Sequence, residues 1–86
     1  MSAAYDLVAL EYLGGHTLRL TFADGVVSDV DFWPRIESIG GPVFEALRDA
    51  PYFAQASIDP ELRTVVWPNG ADFAPDVLHD LAVAAA

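Results

Sequence analysis

Asp72, Asp76 and His79 stand close together toward the C-terminal end of an 86-residue chain. Carboxylates grouped with an imidazole are the raw material of metal centres and acid–base pairs. If the segment from Pro75 is helical, Asp76 and His79 are spaced i, i+3 and share a face, and Asp72 reaches the same side. The same residues also read as punctuation. In TVVWPNGADFAPDVLHDL, residues 64–81, Trp67-Pro68 closes a strand, because proline cannot extend a ladder. Asn69-Gly70 accepts positive φ, Asp72 can bond nearby amides, and Asp76 meets the positive end of the helix dipole in the first turn. Val77, Leu78, Leu81, Ala82 and Ala85 then form the inward stripe, which turns Asp76, His79, Asp80 and Val83 largely toward solvent. A metal needs a closed shell with support behind it, so the expectation is no metal and no cofactor.

Asp29 and Asp31 share the outer face of one strand, about 6.5–7 Å apart by strand rise. Acid–base work by such a pair needs one member shielded to raise its pKa, and a solvated strand face is the preferred reading. His16 follows two glycines in a turn, with no evident charged relay. The sequence shows no Ser-His-Asp order, no glycine-rich phosphate loop and no Cys/His metal spacing, so no residue is assigned a catalytic role. Trp33 and Trp67 each precede a proline, which forces an extended backbone. In so small a domain both are expected in the core, and either one, if exposed, becomes an interface anchor. Trp33, in its Pro-flanked loop, is the first choice for partner binding, with Asp29 and Asp31 as its rim.

These residues need a scaffold. Residues 5–13 are apolar with weak alternation, and Gly14-Gly15 marks a turn. TLRLTF, residues 17–22, sets Leu18, Leu20 and Phe22 on one face and Thr17, Arg19 and Thr21 on the other. Asp24-Gly25 is a hairpin signal. Residues 26–32 continue the pattern, with Val26, Val30 and Phe32 inward and Asp29 and Asp31 outward, so three strands form an antiparallel meander. WPRIESIGGP reads as a loop or a single helical turn. Val43, Phe44 and Leu47 predict a short helix over about 42–49, with Pro42 in its first turn and Pro51 as its stop. FAQASID and RTVVWP read as strands joined through PEL, and a longer helix starts at Pro75. Leu18, Leu20, Phe22, Val30, Phe44, Leu47, Val66 or Trp67, Leu78 and Leu81 are expected to be buried together. The fold class is α+β: one domain over residues 1–86, whose antiparallel sheet combines the meander and the later hairpin, with a short middle helix and a C-terminal helix.

The totals bound the function. Thirteen carboxylates face four arginines and no lysine, for a formal net charge of −9. Such a field repels a phosphate backbone, which excludes direct nucleic-acid binding. Acidity serves solubility first, and it also steers toward basic partners. No cysteine is present, so disulfides and thiolate chemistry are excluded. No apolar run approaches the roughly 20 residues of a membrane span. MSAAYDLVALEY lacks a basic flank and carries Asp6 and Glu11, a poor signal peptide, so the expected location is cytoplasmic.

The order TLRLTFADGVVSDVDF, VFEALRDAPYFAQASID and RTVVWPNGADFAPDVLHDLA resembles a bacterial family known as domain of unknown function 2442, from about Tyr5 to Ala82. Its most specific parts are Phe22 with Asp24-Gly25, the stretch Phe44 to Phe53, and Trp67-Pro68-Asn69-Gly70-Ala71-Asp72 with Pro75, Asp76 and Leu78. The resemblance implies a small α+β domain and brings no enzyme activity to carry over. Asp24, Gly25, Trp67, Pro68, Asn69, Gly70, Asp72, Pro75 and Asp76 are then family-motif residues with mainly structural work. Some relatives carry a C-terminal helix-turn-helix, which is not expected here. Others stand alone and are encoded beside another small protein, in the manner of a toxin–antitoxin pair. The leading reading is a non-catalytic module that binds another protein, a basic one encoded by a neighbouring gene. The alternatives are a small enzyme or metal-binding protein using the acidic residues around Asp72, and a self-associating module, since open sheet edges invite pairing.

Overall fold

The computed structural model describes residues 5–85. Strands β1 (Leu7–Gly14), β2 (Thr17–Phe22) and β3 (Val27–Asp31) form an antiparallel sheet in the order β1-β2-β3. The alternation in the sequence decides the faces: Leu18, Leu20, Phe22, Ser28, Val30 and Phe32 are buried, while Arg19, Asp29 and Asp31 are exposed. The β2–β3 turn is a three-residue loop in which Gly25 sits at φ 92°. Phe22 N–H donates to the Val26 carbonyl at 2.9 Å, and the Asp24 carboxylate accepts the Val26 N–H at 3.0 Å. Register slips between Leu7 and Ala9, which leaves Val8 outside the ladder and exposed.

The middle of the chain departs from expectation. WPRIESIGGP forms α1 (Trp33–Ser38), whose buried residue is Ile36. The expected helix over 42–49 is broken into α2 (Pro42–Glu45) and a 3-10 turn over Ala46–Arg48. Pro51 does not end a helix but lies in the first turn of the next, α3 (Ala50–Phe53), because a missing N–H costs nothing at a helix start. The first residue of FAQASID therefore belongs to a helix, and only β4 (Ser57–Ile58) is strand. Its partner is β5 (Val65–Val66), and this hairpin is a separate two-stranded sheet rather than part of the meander. It is tied to β1 through Leu7 N–H and the Arg63 carbonyl at 2.9 Å. The last element is α4 (Pro75–Ala85). No helix among the described residues is long and apolar enough to cross a membrane.

The core unites these elements. Leu18, Leu20, Phe22, Val30, Leu47, Trp67 and Leu78 are in it, while Phe44 and Leu81 are only partly buried against it. At its centre Phe53 lies 5.8 Å from Phe32 and 5.5 Å from Trp67, and Phe73 lies 5.5 Å from Phe32, between ring centroids. Trp67 keeps its polar atom satisfied by donating Nε1–H to the Phe53 carbonyl at 2.9 Å. Thr64, also buried, donates its hydroxyl to the Phe73 carbonyl at 2.7 Å.

One turn makes a pH prediction. Asp59 accepts the Leu62 and Glu61 N–H groups at 2.9 and 2.8 Å, and those bonds hold its carboxyl below its ordinary value. Asp29, bonded by Arg19, and Asp24, bonded by the Val26 N–H and then by His79, are lowered likewise. Each group binds its proton more weakly folded than unfolded. Its contribution is thus complete above about pH 4 and is lost as pH falls through the lower folded values. Urea midpoints are expected to fall with pH in that acid range, and more shallowly for Asp59→Ala than for wild type. A parallel slope for the variant would remove Asp59 from this account.

Candidate functional site

Trp33 is the exposed aromatic of the two tryptophans, at 38% against 3% for Trp67. The expectation of a core tryptophan with an extended backbone fails at this position: Phe32 takes the inward place, and Trp33 opens helix α1 with Pro34 in its first turn. Trp33 is nonetheless held in a defined position. Its N–H donates to Asp31 Oδ1 at 3.0 Å, and its ring lies 4.9 Å from the imidazole of His16. His16 in turn donates Nε2–H to the Arg48 carbonyl at 3.0 Å and packs on Phe53, so it anchors the indole's neighbourhood.

Asp29 and Asp31 do lie on the same outer face, but each has a structural partner. Arg19 Nε–H and Nη2–H donate to the two oxygens of Asp29 at 2.8 and 3.2 Å. This pair lowers the Asp29 carboxyl and raises the Arg19 guanidinium. Both side chains stay about half exposed, so the ion pair adds little stability. Asp31 opens onto a groove of about 430 Å³ between the end of β3, α1 and the last turns of α4, lined by Val30, Pro34, Arg35, Leu81 and Ala84. Asp31 thus lines this groove and also accepts the Trp33 N–H, while the indole itself lies against His16. The outward side of Arg19 was readable from sequence, although its pairing with Asp29 comes from the observed register. The contribution of α4 was not readable, because nothing local says which strand the helix meets.

The C-terminal constellation is assembled differently from the expectation. His79 does not face solvent with Asp76 and Asp80; it is 8% exposed. The helix is rolled so that Leu78, His79 and Ala82 point inward, while Val77 and Leu81 are half-buried and Ala85 is exposed. An alanine-rich stripe defines its own centre poorly, and the imidazole finds a better place. Its Nε2 lies 2.7 Å from Asp24 Oδ2. A carboxylate only accepts, so Nε2 carries the proton. The ring is stacked 4.2 Å from Tyr5 and meets Phe22 edge-on at 4.9 Å. His79 thus fastens α4 to the β2–β3 turn, a link between residues 55 apart in sequence. Removing it in His79→Ala is expected to cost about 1–3 kcal/mol, mainly through lost aromatic packing. A urea midpoint within error of wild type would contradict that placement.

Asp72 forms an isolated bridge with Val66, and Asp76 is in the first turn of α4; both are exposed. Asn69 accepts the Ala71 N–H through Oδ1 at 3.1 Å and donates Nδ2–H to the Val43 carbonyl at 2.8 Å. Gly70 is at φ 90°. The Pro68-Asn69-Gly70 turn therefore joins β5 to α2. No three His, Cys, Asp or Glu side chains among the described residues are grouped to hold a metal ion. Calorimetric titration with zinc, manganese and magnesium is expected to show no tight site. Micromolar binding abolished by Asp76→Ala would restore the metal reading.

Taken together, the fold and this surface define a small α+β domain: a three-stranded meander backed by short helices, with a C-terminal helix fastened to its central turn. The chain belongs to the family described as Protein of unknown function (DUF2442), whose sequence profile matches residues 7–84. No curated protein and no solved structure matches it.

Proposed function

We propose that this chain is a non-catalytic protein-binding module, the antitoxin-like partner of a basic protein encoded by a neighbouring gene. The observation that carries the reading is Trp33: an indole 38% exposed and fixed by Asp31 and His16. Fixed aromatic side chains are the usual anchors of interfaces, because little entropy is lost when they are covered. The net charge of −9 without a single lysine favours a basic partner. Charge would set the rate of encounter and the indole would set residence time. Co-expression with the neighbouring gene's product tests this directly, and the two are expected to co-purify. Association of the purified proteins is expected to slow as salt rises from about 0.05 to 0.5 M, where the Debye length shrinks to a few Å. A salt-independent association rate would remove the electrostatic part of the reading.

A further inference from the structure

We propose that the free edge of β3 binds a strand of the partner protein in which basic and apolar residues alternate. This deepens the protein-binding reading and rests on it. The bonds Phe22 N–H to Val26 carbonyl and Phe32 N–H to His16 carbonyl bracket the β2–β3 ladder, and its register runs unbroken between them. Bonding pairs in an antiparallel ladder recur every second residue. The even-numbered residues of β3 therefore bond to β2, and Val27, Asp29 and Asp31 turn their N–H and C=O groups outward. β3 ends its sheet, and among the described residues no backbone group takes up those outward positions.

The two sides of this edge differ in chemistry. On the outer face an added strand would meet the exposed carboxylate of Asp31 and the Arg19–Asp29 pair, in a chain of net charge −9. On the inner face its side chains would enter the groove lined by Val30, Leu81 and Ala84. Successive side chains of a strand point to opposite faces, so the occupant must alternate cation with hydrophobe. A second copy of this chain fits badly. Two-fold antiparallel pairing of β3 with itself brings together molecules that each carry −9, and that repulsion opposes association. Carboxylates on a sheet edge are a device against self-association, and they leave the edge open to a basic strand.

The probe is a peptide of about eight residues alternating lysine and valine, with an aspartate–valine peptide as control. Two further versions carry N-methyl groups, one on every valine and one on every lysine. Such groups remove ladder donors while keeping charge. The lysine peptide is expected to bind, and at least one N-methylated version is expected to lose about tenfold or more in affinity. Equal binding by all three lysine peptides, or binding by the aspartate peptide, would overturn the proposal. On the protein, Asp29→Pro and Asp29→Ala both lose the carboxylate, but only proline loses the edge N–H, which the β2 ladder does not use. Asp29→Pro is expected to keep its thermal transition and to bind the lysine peptide about tenfold more weakly than Asp29→Ala. If Asp29→Pro fails to fold, the N-methylated peptides decide alone. Should the neighbouring gene's product lose affinity with Trp33→Ala yet bind both Asp29 variants equally, strand addition fails and the protein-binding reading stands. Dimerisation of the chain itself at about 100 µM, abolished by Asp29→Pro, would make the occupant a second copy and would also overturn it.

Discussion

Phe53→Ala is expected to destabilise the domain by about 3–5 kcal/mol, the range for deleting a fully buried aromatic ring. Phe53 is 0% exposed and lies at the meeting point of three parts of the chain. It touches Phe32 at the end of the meander, Trp67 after β5 and His16 in the β1–β2 turn. Its carbonyl holds the Trp67 indole N–H. An alanine here leaves a cavity lined by rings that cannot all collapse into it, and it loosens the tryptophan. A domain of this size has a total stability of roughly 4–13 kcal/mol, so the variant is expected to be marginal at room temperature. Urea denaturation measures it: the midpoint should fall steeply with an unchanged slope. A loss under about 1 kcal/mol would mean that the aromatic cluster is not the centre of the core.

Trp33→Ala has the opposite profile. Its ring is partly exposed and rests on His16 rather than filling the core, so thermal stability should shift little. Its effect falls on the complex. Truncating a central aromatic anchor costs about 2 kcal/mol or more, which is roughly thirtyfold in affinity. Most of that should appear as faster dissociation, because mutations within an interface act mainly on that rate. A variant that lost stability and affinity in parallel would assign Trp33 to the fold instead. Unchanged dissociation would move the anchor elsewhere.

The meander was legible because two local signals agreed. The alternation of Leu18, Leu20 and Phe22 fixed which face is buried, and Asp24-Gly25 marked the turn, while the three-residue loop that sets Arg19 against Asp29 is seen only in the structure. The middle of the chain was harder. Pro51 carries two meanings, stopping one helix or starting the next, and only the demand that Phe53 reach the core selects the second. His79 was misplaced because its burial depends on Asp24, far away in sequence, and an Ala-rich helix leaves the choice of inward face to such contacts. Trp33 could be named as a candidate anchor, but its exposure depended on the direction of the turn into α1. The groove at Asp31 arises from packing of α4 near β3, a tertiary fact with no local signature.

The central claim is that this chain acts by binding a protein. The most direct measurement is calorimetric titration of the purified neighbouring gene product into the wild-type chain at low salt. The expected result is saturable binding at micromolar concentration or tighter, with a stoichiometry set by one Trp33 surface per chain. The contradicting result is no binding heat at those concentrations across temperatures.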